Sequence, residues 1–154
     1  MMKGIFVFKR TNSDNNSFIS LVKELDDYLT GINGEDDSFF RQFNSMDELQ
    51  CVIVCYHNEK PVACGAFKIF NKTTVELKRM YVKHECRGKG VATKIVTELE
   101  IWAKELGYKT AILETSTIMN DALTLYKKNE YQVISNYGQY KNVKTSVCFG
   151  KELN

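Results

Sequence analysis

The chain has 154 residues, a length that suits a single domain over residues 1–154 with a real core and leaves no room for a second catalytic domain. Lysine and arginine number 21 against 19 aspartates and glutamates, so no global field favours nucleic acid or an anionic membrane, and any basic patch must be local, as at residues 83–94. No apolar run approaches the roughly 20 residues of a membrane helix, and the N-terminal residues lead into a strand-like segment rather than a signal peptide; a soluble, cytoplasmic protein is expected.

Ile5-Phe6-Val7-Phe8 is a short β-favouring run, closed by a polar cluster of turn and capping residues at 11–17. Phe18, Leu21, Val22, Leu25 and Leu29 then recur at helical spacing and predict a helix over residues 17–30, which Gly31-Ile32-Asn33-Gly34 stops. Residues 35–43 suggest a second short helix carrying Phe39, Phe40 and Phe43. Two apolar runs, 51–56 and 62–70, flank His57-Asn58-Glu59-Lys60-Pro61, a hairpin signal. Asn71-Lys72-Thr73 reverses the chain into a third strand, 74–82.

Five cysteines, Cys51, Cys55, Cys64, Cys86 and Cys148, form an odd set without a Cys-x-x-Cys pair, which argues against a disulfide framework or a zinc site, and no metal is expected. On one strand Cys51 and Cys55 would stand roughly 13 Å apart, too far to share an ion. Burial is the ordinary state of such thiols. Cys86 is the exception, because Arg87 and a helix start favour a thiolate there.

After the strand ending in Met80-Tyr81-Val82 comes Lys83-His84-Glu85-Cys86-Arg87-Gly88-Lys89-Gly90-Val91-Ala92-Thr93, a basic, glycine-rich turn that opens a helix. Gly88 and Gly90 permit positive φ, which lets consecutive N–H groups converge on an anion, and the first amides of the helix point the same way. Arg87 adds a planar fork suited to phosphate, and Lys89 a second charge. A pyrophosphate is the expected guest. The loop is not a P-loop, since Gly88-Lys89 is followed by Gly90, and it is a poor dinucleotide fingerprint, since Thr93 stands where a small residue is needed, although Glu114 could imitate that motif's ribose-binding acid.

The following helix, about 90–106, carries Val91, Ile95, Leu99, Trp102 and Leu106 on one stripe, and Gly107 ends it. A strand at 110–115 is parallel to the one before the loop, because a helix crosses between them. A shorter helix at 120–128 and strands at 131–134 and 146–149 complete the chain.

Glu76-Leu77-Lys78-Arg79-Met80-Tyr81-Val82, the loop from Arg87 to Ala92, Leu99-Glu100-x-Trp102-Ala103, Ile112-Leu113-Glu114-Thr115 and Ala122-Leu123-Thr124-Leu125-Tyr126 together resemble the GNAT family of N-acetyltransferases. The resemblance implies an α/β fold of the α+β kind: a central mixed, mostly antiparallel sheet of about seven strands, about four flanking helices and a splayed parallel strand pair. It implies acetyl-CoA as cosubstrate, no metal, and direct transfer to an amine. Met80 and Val82, with Tyr81 beside them, would bond the pantetheine arm, and Arg87, Gly88, Lys89, Gly90, Val91, Ala92 and Thr93 the pyrophosphate. Matching Ala122 to the family's alanine puts Met119 where Asn or Gln is common, so the coenzyme contact falls to Asn120. Glu130 replaces a glycine at the end of that helix, and Asn129 is the better left-handed candidate.

Acyl transfer needs a neutral amine, an oxyanion donor and a proton for the leaving thiolate. The resemblance gives the proton to Tyr126 and the base, or the ordering of a water that acts as base, to Glu76; Glu114 or a relay to bulk solvent is the alternative. His57 and His84 have no catalytic neighbours in sequence and are read as exposed. Phe39, Glu114, Tyr137 and Tyr140 are the acceptor-side candidates, the tyrosines because they lie in the long connection 135–145, which resembles an aromatic loop placed over the acceptor site in part of the family. A small amine-bearing metabolite acted on by a monomer or homodimer is expected. The competing readings are a protein N-acetyltransferase, a non-catalytic acyl-CoA-binding module and a nucleotide-binding protein.

Overall fold

The computed structural model describes residues 4–34 and 49–154. In chain order its elements are β1 (Phe6–Thr11), α1 (Asn16–Asn33), β2 (Cys51–His57), β3 (Lys60–Ile69), β4 (Thr74–Val82), α2 (Val91–Glu105), β5 (Thr110–Ser116), α3 (Asn120–Lys128), β6 (Gln132–Ile134) and β7 (Ser146–Glu152), with 3-10 turns at His84–Cys86 and Gly138–Tyr140. The strands form a seven-stranded mixed sheet in the order β1-β2-β3-β4-β5-β7-β6. Three helices stand among the described residues. The short helix expected at 35–43, with Phe39, Phe40 and Phe43, lies outside them.

Two compact units divide the chain, Met1–Lys68 with Arg79–Leu99, and Ile69–Lys78 with Glu100–Asn154. In the first, the Asn15 side chain accepts the Phe18 N–H at 2.9 Å and starts α1. The helix runs through Gly31 and ends at Gly34, beyond the expected stop. Its Phe18, Leu21 and Val22 pack with Leu49, Val52, Val54, Cys64 and Ala66. Gly65 alternates with Cys64 and Ala66 and so faces the other way, toward α2. A Cβ there would collide with Met80 Sδ and stand 2.6 Å from Ile95 Cγ2, so the absence of a side chain sets how closely α2 approaches β3. The buried stripe of α2 is Val91, Ile95, Val96, Leu99 and Ala103. Trp102 is only half-buried and Leu106, past the helix end, is 55% exposed, which corrects the expected stripe.

The β2–β3 hairpin is tighter than expected: His57 pairs with Lys60, and Asn58 and Glu59 carry φ of 51° and 68° in a two-residue turn. His57 is not exposed. It pairs with Phe6 of β1, the two rings 4.6 Å apart, and is only 7% accessible; His84 is exposed as expected.

Arg79, within β4, has φ 60°, a left-handed conformation that bends a strand as a bulge does. Its Nη1 reaches Asp26 Oδ1 at 2.7 Å, and its carbonyl accepts the Cys64 S–H at 3.3 Å. Cys55, Cys64, Cys86 and Cys148 are buried, Cys51 half-buried, and none forms a disulfide.

In the second unit, β4 and β5 pair in parallel through only three positions, Thr74↔Thr110, Val75↔Ala111 and Glu76↔Ile112. β5 pairs with β7 along its whole length, from Thr110↔Glu152 to Ser116↔Ser146, and β7 in turn holds β6. Glu100 ties this unit together, accepting the Tyr131 hydroxyl at 2.8 Å and Lys151 Nζ at 3.0 Å. No helix among the described residues is long and apolar enough to cross a membrane.

Replacing Gly65 by alanine should destabilise the protein by about 1–3 kcal/mol, the usual cost of overpacking, and lower the denaturant midpoint without changing the slope. A midpoint equal to wild type would mean that α2 is not set by this contact.

Candidate active site

The loop before α2 takes the conformation its glycines foreshadow, with φ +75° at Gly88 and +79° at Gly90. Nothing among the described residues lies within 4 Å of where a Cβ on either would point. The first intrahelical bond runs from the Lys94 N–H to the Gly90 carbonyl at 3.0 Å, which leaves the amides of Val91 and Ala92 ahead of the ladder and available to an anion. The arrangement fits a pyrophosphate. Arg87 donates through Nε to the Val82 carbonyl at 2.9 Å, and its guanidinium carbon lies 5.5 Å from the centre of the exposed Tyr28 ring. The side chain is thereby fixed by Nε and its face, with the terminal NH groups left for a ligand.

The expected Cys86 thiolate is absent. Cys86 is buried inside the 3-10 turn, and burial and Glu85 push its thiol up more strongly than Lys89 and Lys83 pull it down. Tyr81 directs its hydroxyl at Glu24 Oε1, 3.2 Å away on α1, so only its backbone is offered toward a ligand. Burial and Glu24 push its phenol up.

In the second unit a polar cluster is built on one sheet face. Alternation puts Glu76 and Lys78 on the same side of β4, and the register Glu76↔Ile112 brings Ile112 and therefore Glu114 to that side. Pairing of Glu114 with Cys148, and of Ser116 with Ser146, adds both β7 residues. Glu76 is 3% accessible; its Oε2 accepts the Tyr137 hydroxyl at 2.6 Å and its Oε1 lies 3.9 Å from Lys78 Nζ. Glu114 accepts the Ser146 hydroxyl at 2.5 Å, and burial pushes its carboxyl up against the opposing pull of Ser146 and Lys78.

Tyr137 packs edge-on against Phe70 at 5.3 Å and Tyr140 at 5.9 Å. Tyr140 is 3% accessible, and Asn136 Nδ2 closes the segment by donating to the carbonyls of Val143 and Ser146. The Tyr137 hydroxyl is engaged by Glu76, and the Tyr140 ring is buried. Burial pushes both phenols up, with Glu76 adding to the rise at Tyr137 and Glu114 at Tyr140. Phe39 lies outside the described residues.

Tyr126, on α3, is 6% accessible, its ring 5.8 Å from Tyr131 and 6.1 Å from Phe149. Burial holds its phenol protonated. The helix end fixes this ring. Tyr131 N–H bonds the Tyr126 carbonyl at 2.9 Å and Glu130 N–H the Lys127 carbonyl at 3.1 Å, the pair of bonds that ends a helix when the next residue turns left-handed. Glu130, φ 71°, takes that position, and Asn129, φ −91°, does not. Asn129 is used otherwise, donating Nδ2 to the Leu125 carbonyl at 2.8 Å. Asn120, the first residue of α3, is exposed, and no side-chain cap precedes it at Met119.

Lys78 and Ser146 went unmarked in the sequence. Lys78 had a signal, its two-residue spacing from Glu76 on a strand, whereas Ser146 joins the cluster only through the β5–β7 register. No group of metal-binding side chains occurs among the described residues.

Residues 18–131 match the acetyltransferase (GNAT) family. A mouse protein named probable N-acetyltransferase family 8 member 5 is 31% identical over 75 residues, 49% of this chain and 33% of that protein, so the chain spans about a third of that relative's length. The IAA acetyltransferase of Azospirillum brasilense is 26% identical over 143 residues, 88% of this chain and 90% of that protein. Among solved structures, the PaiA N-acetyltransferase of Thermoplasma acidophilum in complex with coenzyme A superposes with a TM-score of 0.74 at 16% identity, covering 96% of this chain and 99% of that one.

Glu130→Gly should leave the helix end in place and raise stability by up to about 1 kcal/mol, since a side chain in the left-handed region costs about 1–2 kcal/mol and glycine returns part of that gain as chain entropy. Thermal unfolding would show a Tm a few degrees higher; a lower Tm would mean that the Glu130 side chain makes a compensating interaction.

Proposed function

This chain belongs to the acetyltransferase (GNAT) family, and from that premise and the amide cradle we infer that it is an acetyl-CoA-dependent N-acetyltransferase acting on a primary amine. The observation that carries the reading is the pair of left-handed glycines ahead of α2 with Arg87 held at their rim. Val91 and Ala92 amides and the Arg87 fork would hold the pyrophosphate, and the backbone of Met80 and Val82 the pantetheine arm. Bound acetyl-CoA supplies an activated thioester. Tyr126, kept protonated by burial, is the proton donor for the leaving thiolate, and a carboxylate of the Glu76 and Glu114 cluster removes the amine proton.

Direct transfer is favoured over a covalent acetyl-enzyme because burial raises the thiols of Cys86 and Cys148, and a thiol rather than a thiolate is a poor nucleophile. The two carboxyls of the cluster, Glu76 and Glu114, suit a small cationic metabolite as acceptor. The whole chain, 1–154, is read as one cytoplasmic domain, monomeric or homodimeric. Packing of Tyr126 between Tyr131 and Phe149 favours a second reading, a coenzyme-binding module without turnover.

Acetyl-CoA should raise the Tm with concentration, the stabilisation reaching about 2.7 kcal/mol at a hundredfold excess over Kd. Arg87→Glu should weaken this sharply. Stabilisation by NAD or ATP but not by coenzyme A would defeat the acyltransferase reading.

Tyr126→Phe removes only a hydroxyl and should keep coenzyme binding while lowering turnover by roughly 10²-fold. Coenzyme release measured across a panel of amines decides it: unchanged turnover leaves Tyr126 structural, and none from wild type leaves only the binding module.

A further inference from the structure

The two glutamates of the second unit differ in how their oxygens are used. Glu76 has both engaged. Its Oε2 takes the Tyr137 hydroxyl at 2.6 Å, within the range of a charge-assisted O–H···O⁻ bond, and its Oε1 faces Lys78 at 3.9 Å. A move of the Glu76 carboxyl to collect a proton from a substrate would cost the bond that holds Tyr137. Glu114 has one oxygen engaged: Oε2 accepts from Ser146 at 2.5 Å, and among the described residues no bond reaches Oε1.

Resting on the transferase reading above, we propose that Glu114, and not Glu76, accepts the proton of the acceptor amine, while Glu76 is a fixed charge that positions Tyr137. In that step an N–H bond of the substrate ammonium breaks, its electron pair stays on nitrogen for attack on the thioester carbon, and an O–H bond forms on Glu114 Oε1. The proton then passes to solvent, and the Ser146 hydroxyl keeps the carboxyl oriented throughout. Glu114 faces Glu76 and Lys78 on β4, Ser146 and Cys148 on β7, and Tyr140 from the connection before β7. Its carboxyl is pushed up by burial and by the negative charge of Glu76, and pulled down by Ser146 and Lys78. The carboxylate with both oxygens engaged suits the holding of Tyr137, and the one with an oxygen left open suits the taking of a proton.

The test is the pH dependence of kcat/KM with acetyl-CoA and the amine that gives the most coenzyme release in a panel. In wild type the acidic limb should lie above the ordinary glutamate value of about 4.3. Glu114→Gln should lose roughly 10²-fold or more and abolish that limb. Glu76→Gln can still accept the Tyr137 hydroxyl; it should lose less than about tenfold and move the limb to lower pH, because the neighbouring negative charge is gone. Ser146→Ala should move the limb to higher pH, a displacement that a purely structural serine would not produce. The proposal is overturned if Glu76→Gln removes the limb with the large loss while Glu114→Gln retains both. Thermal stabilisation by acetyl-CoA verifies that each variant is folded. Carboxyl NMR titration of the wild-type protein supplies an independent reading, and Glu114 titrating below the ordinary glutamate value of about 4.3 would also sink the proposal. Wild type that releases no coenzyme with any amine defeats the transferase reading, and the carboxyl titration still decides whether Glu114 is raised.

Discussion

The organisation of the site depends on the shortness of one parallel ladder. β4 and β5 share three residue pairs and then stop, and β4 turns through a left-handed arginine three residues further on, whereas β5 keeps its other edge paired with β7 along its full length. A parallel pair is slightly weaker per residue than an antiparallel one, so ending it early costs little, and the backbone of β4 after Glu76 is released from β5. What makes this tolerable is local. The Arg79 conformation is unfavourable for a residue with a side chain, and the ion pair to Asp26 and the sulfhydryl bond from Cys64 hold it in place.

The last shared pair also fixes which face carries the chemistry. Because Glu76 is opposite Ile112, Glu76 and Lys78 on β4 and the even positions of β5 fall on one side, and the antiparallel register then brings the even positions of β7 to it. A slip of one residue in either pairing would bury Leu113 and Val147 among charges and send Glu114 and Ser146 to the opposite face. The unbroken seven-pair β5–β7 register is thus a condition for the site as much as for the core.

Features set by near neighbours were legible in the sequence. Gly88 and Gly90 declare positive φ by having no Cβ, the α1 stripe follows from spacing, and the order of strands and helices follows from turn residues. Features that arise from partners far along the chain were not. Tyr137 and Glu76 are separated by 61 residues, and no local pattern says that the hydroxyl of one is aimed at the other. His57 looked like a turn residue because Asn58 and Glu59 follow it; its burial comes from Phe6 on a strand some fifty positions earlier. Glu130 defeats local propensity outright. Asn129 is the easier residue to place left-handed, yet its side chain is drawn to the Leu125 carbonyl and the strained position passes to its neighbour.

The cysteines give the fold a chemical silence. Burial drives the Cys55 and Cys64 thiols up to about 12, and those of Cys86 and Cys148 rise as well. Electrophiles and oxidants react with thiolate, so at neutral pH these side chains present almost nothing to attack while the chain is folded. Modification then waits on opening of the surrounding structure, and its rate becomes a clock for that opening. Cys64 and Cys86 belong to the first unit and Cys148 to the second, so the order in which they are labelled would record which unit loosens first.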